Sequence, residues 1–128
     1  MRLNREAKME LLIDGLGKPS EKDWSIELLD AYPHEVDLDS INEESVISNI
    51  AYFDVETEGG RVSIKNKVTI EIKRNSTVRS ALFEFGNKGA LLLASAGEGH
   101  CDLNFSSSIL IEGSTVTIDS LSLVVPSC

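Results

Sequence analysis

Between Val62 and Ile72 the apolar side chains keep to one parity. Val62, Ile64, Val68, Ile70 and Ile72 alternate with Ser63, Lys65, Lys67, Thr69, Glu71 and Lys73. Successive strand side chains point to opposite faces, so this spacing predicts an apolar row inward and a charged row outward. Asn66, between two lysines, interrupts the apolar row and predicts a bulge or break, since one unbroken strand of that length would be unusual. Arg74 to Thr77 reads as turn chemistry. From Val78 to Phe85 both parities are apolar, as in a central strand covered on two sides. Gly86-Asn87-Lys88-Gly89 then predicts a hairpin connection, and Ala90 to Ala94 the returning strand. Gly97-Glu98-Gly99 predicts another turn. Beyond it Cys101, Leu103 and Phe105 alternate with Asp102 and Asn104, and Ile109–Ile111, Val116–Ile118 and Leu121–Val125 complete a run of short strands.

The first half is less regular. Asn4 is placed to cap a helix over about residues 4–16, with Ala7, Leu11, Leu12 and Leu16 on one stripe and Gly17 and Pro19 ending it. A helix this short is marginal alone and must dock on the chain's own strands or on a neighbouring subunit. Trp24, Ile26 and Leu28 alternate with Ser25, Glu27 and Leu29 as a first strand, which Tyr32-Pro33-His34 ends. An acidic loop over about residues 33–45 follows, with Val36, Leu38 and Ile41 as anchors. Val46 to Val55 returns to strand, with Ile50 and Tyr52 on one face and Ala51, Phe53 and Val55 on the other; both Trp24 and Tyr52 are expected on buried rows. Thr57 to Gly60 is a hairpin-type turn. The fold class expected is mostly β: one domain over residues 1–128, an antiparallel β-sandwich of jelly-roll or Ig-like form with a short N-terminal α-helix, its main β region spanning 46–126.

Charge narrows the partners. The net charge is −9, and residues 1–60 carry 5 basic and 15 acidic side chains against 7 and 6 in residues 61–128. Such a chain lacks the clustered Lys and Arg that nucleic-acid phosphates or an anionic membrane surface require. The excess acid in the first half suits either solvated loops or a face for a basic partner. No stretch reads as a membrane span or a secretory leader, and Cys101 and Cys128 are expected as free thiols.

Reactive patterns are scarce. Asp37, Asp39, Glu43 and Glu44 form the densest carboxylate cluster, but a calcium loop counted from Asp37 would place Asn42 where a glycine belongs and Ile41 where a ligand belongs. His34, His100, Cys101 and Cys128 lack the close-spaced pairs of a structural zinc site. Ser106, Ser107 and Ser108 form no nucleophile elbow, and the glycines at 86, 89, 97 and 99 precede no helix that would make a phosphate cradle. The expectation is therefore no enzyme and no cofactor.

In order, the features resemble a family of small tailed-bacteriophage virion proteins, the tail-fibre or capsid-decoration type of β-sandwich. The resemblance runs through the Leu-rich opening Leu11-Leu12-Ile13-Asp14-Gly15-Leu16-Gly17 and the Trp-led strand Trp24 to Leu29. It continues through Val62-Ser63-Ile64 with Val68-Thr69-Ile70, the Thr77-Val78 strand closing on Phe85, Leu91-Leu92, and the alternating Thr115 to Ile118 and Leu121 to Val124. It implies a non-enzymatic particle component, made in the host cytoplasm and resident in the virion. Its partners would be major capsid or tail proteins, together with further copies of itself. The contacts expected for such assembly are the N-terminal helix, at Leu3, Met9 and Ile13, and the acidic loop, at Asp37, Asp39, Glu43 and Glu44. A small acidic binding module, such as an immunity protein or a carbohydrate-binding domain, is the alternative.

Overall fold

A computed structural model describes residues 2–8, 24–58, 61–85, 89–119 and 121–124. Among the described residues thirteen strands follow one another: β1 (Arg2–Leu3), β2 (Trp24–Leu29), β3 (Ala51–Phe53), β4 (Val55–Glu58), β5 (Arg61–Ile64), β6 (Val68–Glu71), β7 (Ser76–Thr77), β8 (Ser80–Phe85), β9 (Ala90–Gly97), β10 (Leu103–Asn104), β11 (Ile109–Leu110), β12 (Thr115–Ile118) and β13 (Ser122–Val124). Residues 5–8 are helical, and two 3-10 turns, Pro33–Glu35 and Glu43–Ser45, interrupt the acidic loop. The class is mostly β, with antiparallel sheets and a short N-terminal helix.

The main sheet runs β1-β9-β8-β2-β3, with β10 added alongside β9. Its registers align one apolar row across five strands: Ala51, Ile26, Phe83, Leu92 and Leu3. Side chains opposed in register share a face, so this row is continuous. Trp24 lies beside it, stacked on Phe85 at 4.6 Å between ring centroids, with Phe53 and Phe83 at 6.2 and 6.3 Å. Three smaller sheets, β13-β5-β4, β12-β6 and β11-β7, form the opposing layer. Val55, Val62, Val68, Ile70, Ile72 and Ile118 from that layer share one core with Trp24, Ile26 and Phe83. The predicted interruption at Asn66 is real. It lets residues 61–64 pair with β4 and β13 while residues 68–71 pair with β12.

The outer face of the main sheet is apolar too, as the two-sided pattern of β8 required. Leu29, Leu82 and Leu93 project from it and are buried beneath Val36, Leu38 and Val46, with Ala31, Ile41 and Leu91 at the margins. The acidic segment is therefore a cover, with its apolar anchors facing inward. The guanidinium of Arg2 pins it, Nη1 donating to Pro33 O and Val36 O at 2.6 Å each. Asp30 Oδ2 at its start accepts from Ser76 Oγ at 3.2 Å and Arg74 Nη2 at 3.3 Å, and Ser80 Oγ donates to Ala31 O at 2.8 Å.

Several expectations are corrected. Ser76 and Thr77 are not turn but the strand β7, because Leu110 and Ile109, distant in sequence, supply its ladder. Arg2 and Leu3 precede the helix as an edge strand on Leu92 and Leu93. The segment 46–55 is split: Val46 and Ser48 make isolated bridges to Leu29 and Ile72, and Asp54 separates β3 from β4. β10 runs parallel to β9, although parallel neighbours usually need a much longer crossover. Here the short return is held by Asp102, whose Oδ2 accepts from Ser95 N at 3.1 Å, and by Asn104, whose Oδ1 accepts from Cys101 N at 2.9 Å. Tyr52 is not buried; it is 76% exposed, since among the described residues the covering segment packs on Leu29, Leu82 and Leu93 and does not extend over it.

Asn4 does cap the helix, Oδ1 accepting from Ala7 N at 2.9 Å. The same oxygen accepts from Leu91 N at 2.9 Å, and Nδ2 donates to Gly89 O at 3.0 Å. One buried side chain thus fastens the helix start to the head of β9, where Gly89 has φ +67°. Asn4→Ala is expected to destabilise the protein by roughly 2–4 kcal/mol in urea unfolding, a lost cap plus unsatisfied backbone groups on β9. Asn4→Asp keeps the acceptor and loses only the Nδ2 donor, so it is expected to recover part of that loss.

Candidate interaction surfaces

The expected contact residues fall in three places. Leu3 lies in β1, half-buried against the main core, so it serves the fold. Met9 and Ile13 lie outside the described residues. Asp37, Asp39, Glu43 and Glu44 are all exposed on the cover. They do not converge on one point. Asp37 Oδ1 accepts from Asp39 N at 2.9 Å, closing a local turn, while Asn42 Oδ1 accepts from Glu44 N at 3.0 Å and caps the second 3-10 turn. Among the described residues no three His, Cys, Asp or Glu side chains are grouped to hold a metal ion. A shallow hollow of about 360 Å³ under the cover is lined by Leu29, Val36, Asp37, Ile41 and Asn42.

Two further surfaces were not anticipated. On the outer face, the registers set Tyr52, Ser25, Glu84 and Leu91 in one row and Glu27, Leu82 and Leu93 in the next. The cover buries Leu82 and Leu93 and stops short of Ser25, Tyr52 and Glu84. Glu27 is half-buried at this boundary, and its carboxyl is raised above the ordinary glutamate value. Desolvation is the main cause; Lys73 opposes it, and the negative charges of Glu43 and Glu84 add to it. Of the four acidic residues singled out from the sequence, only Glu43 acts on this face. Parity alone separates Ile50 and Tyr52 from the core row of Ala51 and Phe53, and that was the available signal.

The other surface lies at β11. Ile109 and Ile111 are 70% and 65% exposed on either side of buried Leu110. They border a groove of about 390 Å³ that also takes in Phe105, Val116, Ser106 and Thr117. Tyr32, 48% exposed, is by contrast engaged: it stacks on His34 at 5.7 Å, and Arg79 lies 4.3 Å from its ring centroid and donates to its hydroxyl.

Glu27 gives a pH test. Its folded-state value lies above the unfolded one, so its contribution to stability is fully present below the unfolded value and is lost as pH rises through the folded one. Glu27→Gln is accordingly expected to raise the melting temperature at neutral pH and to lose that advantage in acid, as thermal scans across the carboxylate range would show. An equal effect at all pH values would contradict the assignment.

Compared with protein-family models, with curated proteins and with solved structures, the chain matches none.

Proposed function

We propose that this protein is a non-enzymatic assembly component, a structural protein of a tailed-phage particle that decorates the capsid or joins the tail or fibre. The observation that carries the reading is the Ile109–Ile111 ridge. On a chain of net charge −9, two large aliphatic side chains stand mostly in water beside a groove that mixes Phe105 and Val116 with serines and threonines. Fully burying an isoleucine is worth roughly 1.5–3 kcal/mol, so one such contact is weak alone. Repeated around a symmetric particle, weak contacts add through effective concentration. The order of sequence features shared with virion β-sandwich proteins supports the same reading. A soluble binding module is the second reading, and exposed Tyr52 favours it, since an aromatic face is what a sugar or peptide ligand stacks on.

The test combines light scattering with co-sedimentation on phage particles. The wild-type protein is expected to bind particles or to self-associate. Ile109→Lys with Ile111→Lys is expected to abolish this while leaving the melting temperature nearly unchanged, because both side chains are exposed. A wild-type protein that neither self-associates nor sediments with particles would count against the proposal.

A further inference from the structure

The uncovered strip of the outer sheet face has a composition that a free surface does not favour. Tyr52, 76% exposed, lies at one end, with Ile50, 50% exposed, just ahead of its strand. Ser25 lies in the middle and Glu84 beyond it in the same row, with Glu27 in the adjoining row and Glu43 on the rim of the cover. The side chains of Glu27 and Glu84 make no hydrogen bond or salt bridge among the described residues. The negative charges of exposed Glu43 and Glu84 therefore reach half-buried Glu27, with Lys73 as the cation opposing them. The row from β3 through β2 to β8 spans about 10 Å, the width of one extended segment.

Charge decides between occupants. A second copy laid face to face would oppose the same carboxylates, and like charges in contact are costly. A nucleic acid or an anionic membrane would be repelled outright. A neutral sugar would use Tyr52 and leave the carboxylates without partners. We propose that this strip docks a protein segment in which a lysine or arginine is flanked by apolar side chains. The cation sits among Glu27, Glu43 and Glu84, and its apolar neighbours lie on Tyr52 and Ile50. The inference deepens the assembly reading, on which it rests for the existence of a protein partner, and it names that partner's chemistry.

The test is fluorescence anisotropy with a labelled Lys-Val-Arg-Val-Lys-Val peptide at low salt, using the full chain. Binding is expected to weaken about tenfold with Glu84→Lys and severalfold with Tyr52→Ser. It is expected to stay within about twofold when Asp37→Asn and Asp39→Asn are combined on the far part of the cover, because exposed charges at a distance are screened. Thermal melts of each variant separate lost binding from lost folding. The inference is overturned if the peptide fails to bind at millimolar concentration. It is overturned equally if the Asp37 and Asp39 substitutions weaken binding as much as Glu84→Lys, or if a Thr-Val-Ser-Val-Thr-Val peptide or a neutral oligosaccharide binds as tightly. Particle co-sedimentation of the same variants reports on the assembly reading separately. Retained particle binding with failed peptide binding sinks this inference alone, whereas peptide binding without particle or self-association sinks the reading and leaves the strip's specificity standing.

Discussion

The three central strands β2, β8 and β9 carry apolar side chains on both faces, and the architecture follows from the need to bury both. Ile26, Phe83 and Leu92 point to one side, and Leu29, Leu82 and Leu93 to the other. One additional layer is not enough. The inner face takes the small sheets built from residues 55–77 and 109–124, and the outer face takes the segment between Asp30 and Val46. Burying each large outer-face leucine is worth roughly 1.5–3 kcal/mol, enough to hold an irregular segment against the entropy of ordering only if several act together.

That cover resolves the contrast between a strongly acidic loop and its scattered apolar residues. Val36, Leu38 and Val46 face the sheet, and Asp37, Asp39, Glu43 and Glu44 face water. The first half of the cover is held by groups from elsewhere in the chain, Arg2 at Pro33 and Val36, and Arg74 with Ser76 at Asp30. Because the cover is short, it leaves the Tyr52, Ser25 and Glu84 end of the face open. The partly desolvated carboxyl of Glu27 marks the boundary between sealed and open halves. Exposed Ile109 and Ile111 mark a second, separate place where apolar surface is unsealed.

Asn4 shows how little sequence can carry a long-range constraint. As a helix cap it is ordinary, and its side chain satisfies Ala7 N in the usual way. Its remaining bonds reach Gly89 and Leu91, at the start of the eight-residue strand β9, and order the N-terminal edge of the main sheet. The cap and the edge strand Arg2–Leu3 therefore form as one unit with β9.

What the residues determined alone was local and periodic. Alternation placed β2, β5, β6 and β12; the lysine-flanked Asn66 placed the break between β5 and β6; a two-sided apolar run placed β8 and required two covers; and Asn4 declared a helix start. Tertiary structure decided which strands are neighbours, since pairs such as Thr77 with Ile109, Leu3 with Leu92 and Leu103 with Ala96 join short segments whose own sequences specify no partner. It also decided which surface stays open. Alternation alone puts Tyr52 on a row expected to be buried, yet exposure depends on where another segment happens to end. The cover ends before reaching it. Periodicity is a property of a few consecutive residues, whereas burial is a property of whatever part of the chain arrives from far away to exclude water.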